Sequence, residues 1–257
     1  MIADWRRHLA LGLLSVSLIA VQLALMQSFS ISQWHHFAYM VIAIALLGFG
    51  AAGTLLALWR SRILQSSATL LPLLLFATAL TLAFSAGRVQ LLFGRFDSYL
   101  LPYDPSQALL LLAIILLLSL PFVLGALVIG ILFVQQADRI GSTYCANLIG
   151  SGLGGLVGVV ALTRFFPEQL AALLALPTLP AGMLLLPPRQ RLLQGVAVAT
   201  TAALALALAV PAKLPLSQFK DLQKTLDLPD SRTVAMANDP YGQLRSVSSP
   251  ALRFAPG

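Results

Sequence analysis

Gly150, Gly152, Gly154 and Gly155 stand in "GSGLGG", lettering that invites comparison with a phosphate-cradling loop. A dinucleotide site needs such glycines in a turn between a strand and a helix, so that backbone N–H groups face the pyrophosphate. Here the stretch runs on apolar to Leu162, and a phosphate held at bilayer depth would lack water and cationic partners. The spacing fits a helix instead. Gly150 and Gly154, Ser151 and Gly155, and Gly154 and Gly158 are each four apart, so each pair shares a helix face on which small residues let two backbones approach. "GFGAAG", with Gly48, Gly50 and Gly53, offers a similar surface.

The remaining polar residues supply little chemistry. Tyr144 and Asn147 open the glycine-rich helix, where Asn147 is expected to cap it or bond to a neighbouring helix rather than hold a ligand. His35 and His36 are adjacent; they point about 100° apart on a helix and chelate one metal poorly, so they read as interfacial. The single cysteine, Cys145, excludes an internal disulfide and a cysteine-rich metal site, and its apolar surroundings predict a buried, inert thiol. No Ser-His-Asp set, HExxH, P-loop or useful carboxylate pair is present. No catalytic, cofactor-binding or metal-ligating residue is expected in this chain.

The elements that would position these residues follow from composition. The 257 residues are 58% hydrophobic and 10% charged, whereas soluble domains carry about a quarter charged residues. Mean hydropathy is +0.88. A bilayer core about 30 Å thick needs roughly 20 apolar residues per helical span. Seven runs qualify, near 9–28, 37–59, 68–87, 107–133, 146–163, 169–187 and 192–210. The fold class is an all-α polytopic, multi-pass membrane bundle of about seven transmembrane helices (six to eight). The first run has the charge and position of a signal peptide, but it is about a full span long and "SFSISQ" makes a poor cleavage site, so it reads as a retained helix. Pro121 predicts a tilt or kink in the fourth run, and Pro177 with Pro180 a bend in the sixth.

No acidic or basic residue lies inside the seven runs, which disfavours ion-coupled transport because a charge pathway needs ionisable groups at depth. The net charge of +7 sits at the edges of the runs, without a basic stripe or stacking platform, so no nucleic-acid partner is expected. With a cytoplasmic N-terminus that side receives Arg6, Arg7, Arg60, Arg62, Arg139, Arg189 and Arg191. The short loops opposite receive Arg88, Arg95 and Arg164. Seven against three favours that orientation. The third connection, "RVQLLFGRFDSYLLPYDPSQ", fits either a headgroup-level segment anchored by Phe93, Phe96, Tyr99 and Tyr103 or a half-span.

Residues 1–210 form the transmembrane domain. After Val210 the composition turns polar, and all three lysines of the chain follow. Residues 211–230 read as a linker with a short amphipathic helix, since Phe219, Leu222 and Leu226 recur at helical spacing in "SQFKDLQKTLDL". Residues 231–257 open a soluble domain. "RTVAMAN" and "GQLRSVSS" are strand-like and "DPYG" supplies the turn between them. One such hairpin is marginal alone.

Two stretches together resemble a known family. "DRIGSTYCANLIGSGLGGLVG" is similar to the membrane signature of bacterial spermidine-synthase-like proteins with an N-terminal multi-span domain. In that signature a Tyr is followed three residues later by Asp or Asn and then by a small-residue run. Here the positions are Tyr144, Asn147, Gly150, Ser151 and Gly154. Asp is the commoner form in the family, so Asn147 departs from it and weakens any charge-based role there. "SRTVAMANDPYGQLRSVSSPALRFAPG" resembles the family's junction with its soluble aminopropyltransferase or methyltransferase-like domain.

The resemblance implies a membrane anchor of a transferase connected with polyamine biosynthesis. The missing C-terminal soluble domain would bind decarboxylated S-adenosylmethionine or S-adenosylmethionine, and its chemical residues would lie beyond Gly257. The bilayer and that domain are the expected partners, and self-association is left open. A small-solute or polyamine carrier is the alternative, with a polar cavity lined by Tyr144 and Asn147. One conflict stands. Seven spans from a cytoplasmic N-terminus put the tail outside, away from a nucleoside cofactor. Either the third connection is an eighth passage, or one run is not a span, or the domain faces outward.

Overall fold

The computed structural model describes residues 4–33, 35–188, 190–210 and 216–252 and is mostly helical (76%). Long helices α1 (Asp4–Ser32), α2 (His35–Leu58), α4 (Ser67–Phe93), α5 (Pro105–Gln135), α6 (Ile140–Arg164) and α9 (Arg191–Ala209) build the bundle. These six are long and apolar enough to cross a membrane. Short α3 (Arg60–Gln65) joins α2 to α4, a 3-10 turn over Ala137–Arg139 precedes α6, and α7 (Pro167–Ala175) and α8 (Thr178–Leu184) follow it. The tail contains α10 (Asp221–Leu226) and the antiparallel pair β1 (Arg232–Asp239) and β2 (Gly242–Ser248).

The run expected over 169–187 is two helices rather than one bent helix. Pro177 has no N–H to continue the α7 ladder and stands at the N-cap of α8. Thr178 Oγ1 donates to the Ala175 carbonyl across the break. Together α7 and α8 still carry the chain from one end of the bundle to the other. α6 finishes where β1 is docked. Residues 185–188, which follow α8, line one cavity with Arg6 and Arg7, and Gln190 bonds to Thr69 at the start of α4 (3.3 Å). The end holding the start of α1 is termed the near end and the opposite one the far end. Seven traverses result, six continuous and one broken. The chain begins at the near end and reaches its tail at the far end.

α1 is the hub. Leu11, Leu14, Leu18, Val21, Leu25 and Phe29 are all buried, and the helix packs against α2, α5, α6, α7 and α8. The run that resembles a signal peptide is therefore a central helix of the bundle, as enclosed as α4. Several hydroxyls within the helices bond to their own backbones, Ser15 to Leu11 O, Ser28 to Ala24 O and Thr78 to Leu74 O (2.8, 2.8 and 2.7 Å), while those of Ser17 and Thr200 are buried without a partner among the described residues. Where it is made, such a bond removes the cost of an unpaired donor among apolar neighbours.

α4 extends to Phe93, past the expected end near 87, and so takes Arg88 into its last turns. α5 continues through Pro121. The third connection is a series of turns between the far ends of α4 and α5, so it makes no additional pass. Phe29, Phe37, Phe93 and Phe96 cluster there with ring centroids 5.0–6.2 Å apart. Tyr99 packs on Phe219 of the tail at 5.1 Å, while Tyr103 is exposed. Asp104 caps α5 by accepting from Ser106 N (2.9 Å). The bonds from the Ser106 hydroxyl and backbone hold its carboxyl below the ordinary carboxylate value. The stability this adds is present above the unfolded pKa and is lost as pH falls through the lower folded value. Asp104→Ala should fray the start of α5, measurable as faster amide exchange at Ser106 and Gln107, whereas Asp104→Asn should preserve it.

Candidate functional site

α1 and α6 run parallel in register. Asp4 meets Arg139 at 2.5 Å, His8 Nε2 lies 3.3 Å from Thr143 Oγ1, and Ser15 Oγ donates to Asn147 Oδ1 at 2.8 Å. Beyond this polar opening the two backbones touch. A Cβ added to Gly150 would stand 2.4 Å from the Gly12 carbonyl oxygen, and one on Gly154 2.6 Å from that of Val16. At Gly158 the nearest atoms are Leu23 Cδ1 at 3.0 Å and Ala20 Cα at 3.3 Å. Three small residues four apart thus make one seam, and only hydrogen fits where the backbones cross.

The other small residues named from the sequence divide by direction. Gly48 is pressed against α5, its added Cβ 2.7 Å from Phe122 Cβ. Gly50, Gly53 and Gly155 meet nothing within 4 Å, and Ser151 is half-buried beside the seam. A side chain added at those three glycines would meet no other helix among the described residues. Four-residue spacing defines a face but does not say which face is covered. The same reason corrects Cys145, whose thiol is exposed because α6 buries only the side carrying Thr143, Gly150, Gly154 and Gly158. Asn147 bonds across to Ser15, while Tyr144 is 57% exposed, so the two do not converge. His35 and His36 have side chains outside the described residues. Among the described residues no three His, Cys, Asp or Glu side chains gather.

At the far end the parallel pairing has an electrostatic result. α1 and α6 both present carbonyls without helical partners there, with the negative ends of two dipoles side by side. The tail supplies donors to both. Ser217 N bonds to Ser32 O (2.8 Å) and Lys220 Nζ to Ser30 O (2.7 Å). Asn238 Nδ2 donates to Leu162 O at 2.7 Å and to Phe165 O at 3.2 Å, closing α6. Gln27 Nε2 of α1 returns a bond to Asp239 O at 2.6 Å.

The amphipathic helix is shorter than expected, only Asp221–Leu226. Phe219 precedes it and spends its ring on Tyr99. The hairpin has the expected strands, with Asp239 opposite Gly242 and a bulge between Thr233 and Ala235. Asp239 Oδ1 accepts from Tyr241 N and Gly242 N (2.7 and 3.0 Å) and so shapes the turn. Nothing in the residue pattern marked Gln27 or Asn238 as docking groups, although polar residues near the ends of apolar spans were the signal available.

Burial lowers the pKa of Lys220 from the ordinary lysine value. The charged amine is thus disfavoured where it docks, and proton linkage makes docking firmer as pH rises through the folded pKa toward the unfolded one. A dye pair spanning the tail and the bundle should show a larger docked fraction at alkaline pH than at neutral pH, with the gain absent in Lys220→Met.

The arrangement holds helices together and holds a hairpin to their ends; it brings no nucleophile, acid–base pair or cofactor cradle into one place among the described residues. No known protein family, curated protein or solved structure matches the chain.

Proposed function

We propose that the chain is a non-catalytic membrane domain, embedded in lipid by seven traverses, that carries the opening of a soluble domain rigidly on its far end. The observation that supports this most is the docking of the hairpin. A flexible tether would not need Asn238 on the end of α6 and Gln27 on the hairpin turn, and a two-stranded hairpin gains from packing on a larger body. The class of that soluble domain comes from the resemblance at Tyr144–Gly154 and Ser231–Gly257: spermidine-synthase-like, a transferase taking decarboxylated S-adenosylmethionine or S-adenosylmethionine. Its chemistry belongs to residues beyond this chain. The setting is the bacterial inner membrane, with the arginine-rich near end in the cytoplasm.

Removing Gln27 and Asn238 side chains together should undock the hairpin. Each lost hydrogen bond is worth about 1 kcal/mol and the two side chains make three, so Gln27→Ala with Asn238→Ala should raise protease cleavage within 211–230 roughly 150-fold where cleavage tracks the opened fraction. An unchanged rate would mean the hairpin is merely tethered. Reading the coding sequence past Gly257 tests the class. A core strand followed by a glycine-rich loop is expected, and a stop codon at that point would overturn the assignment.

A further inference from the structure

We infer that the near end of the bundle holds a binding site for an anionic phospholipid. A cavity of ≈ 490 Å³ opens there between the start of α1, the start of α4, the end of α5 and the segment after α8. Its volume is in the range of ligand sites. Arg6 and Arg7 line it, and no carboxylate does. The carboxylate closest in sequence, Asp4, is paired with Arg139 instead, and neither Arg6 nor Arg7 forms an ion pair among the described residues. Arg6 and Arg7 therefore border a shared space without a carboxylate partner among the described residues, Arg6 Cζ lying 5.8 Å from the centroid of the Trp5 ring, and two arginines at one cavity are suited to contact with a phosphodiester.

The floor is polar and the walls are not. Gln135 Nε2 donates one hydrogen to Ser67 Oγ at 2.7 Å, and Ser67 Oγ donates onward to Leu64 O at 2.7 Å. In this arrangement the second amide hydrogen of Gln135 remains as a donor, while its Oε1 is buried without a hydrogen-bond partner among the described residues. Leu71, Leu185 and Pro187 supply the apolar side. A soluble anion has no use for such walls, whereas the upper part of an acyl chain does. The cavity also lies at the level where α4 begins and α5 ends, which is headgroup depth for a bundle that spans a bilayer. Basic pockets between membrane helices at this level are suited to acidic headgroups. The assignment rests on the membrane reading: a chain that stayed dissolved without detergent would sink that reading, whereas indifference to lipid charge would sink only this one.

The test uses the whole chain, delipidated in a neutral detergent, with bound lipid measured by native mass spectrometry. Phosphatidylglycerol is expected to bind saturably, and phosphatidylcholine with the same acyl chains and inorganic phosphate are not. Arg6→Gln with Arg7→Gln should weaken phosphatidylglycerol roughly five-fold per arginine, about thirty-fold for both. Arg60→Gln with Arg62→Gln removes the same charge from the same end, outside the cavity, and should leave affinity unchanged. Ala68→Trp keeps both arginines but fills the exposed mouth of the cavity and should also abolish binding. Equal binding of phosphatidylcholine, equal loss in the Arg60 and Arg62 variant, or full binding in Ala68→Trp would overturn the site. Displacement of the lipid by millimolar inorganic phosphate would identify a free-anion site and overturn the lipid assignment.

Discussion

Gly154→Leu is expected to lower the SDS-unfolding midpoint sharply, while Gly155→Leu, one residue along the same helix, leaves it in place. A Cβ at Gly154 would stand 2.6 Å from the Val16 carbonyl oxygen and 2.9 Å from Val16 Cα. Both are backbone atoms, so no change of rotamer relieves the clash and α1 must move away from α6. Overpacking of a well-packed interface costs about 1–3 kcal/mol; here the loss should reach the top of that range, because separating the helices also strains the bonds of Ser15 to Asn147 and Gln27 to Asp239. Gly155 meets nothing within 4 Å, and a surface substitution there should stay within about 0.5 kcal/mol. Helical content followed by circular dichroism during SDS titration separates the two. Equal midpoints would remove the seam as a source of stability.

A reporter enzyme fused after Ser248 should read the opposite side of the membrane from one fused after Gln65. Seven traverses put α3 and the hairpin at opposite ends. The near end carries Arg6, Arg7, Arg60, Arg62, Arg139 and Arg191, which favours the cytoplasm. Alkaline phosphatase should therefore be active after Ser248 and inactive after Gln65, an all-or-none difference. The result matters for chemistry. Activity after Ser248 would place the soluble domain on the outer face, where it must meet its adenosyl substrate, and would leave the anchor intact. The inverse pattern would put the soluble domain in the cytoplasm and the near-end arginines outside. The same sign at both fusions would mean that α7 and α8 form a hairpin on one side and do not cross.

The helices were legible because lipid leaves a strong one-dimensional signal: long runs without charge, bounded by arginine. Partner choice was not legible from that signal. Gly154 and Gly155 are identical in type and adjacent, yet one is pressed on α1 and the other faces open space. Hydrophobicity is the same on both sides of such a helix, so no moment separates the packed face from the outer one. Cys145 was misread for that reason. The broken sixth traverse was half visible, since Pro177 and Pro180 announced a bend but not that each piece would end as its own helix. Docking by Gln27 and Asn238 joins residues 212 and 76 apart and depends on where two helix ends fall in space.

The closeness of α1 to α6 also sets an order of events during synthesis. α1 leaves the ribosome ahead of its tightest neighbour and finds it only after four other long or short helices have been made, and until then its Gly12 and Val16 face is uncovered. A nascent chain stopped before Ile140 holds a hub without its rim, and chains emerge N-terminal end first. Insertion can begin at once, but closure of the bundle must wait for the glycine-bearing helix to arrive.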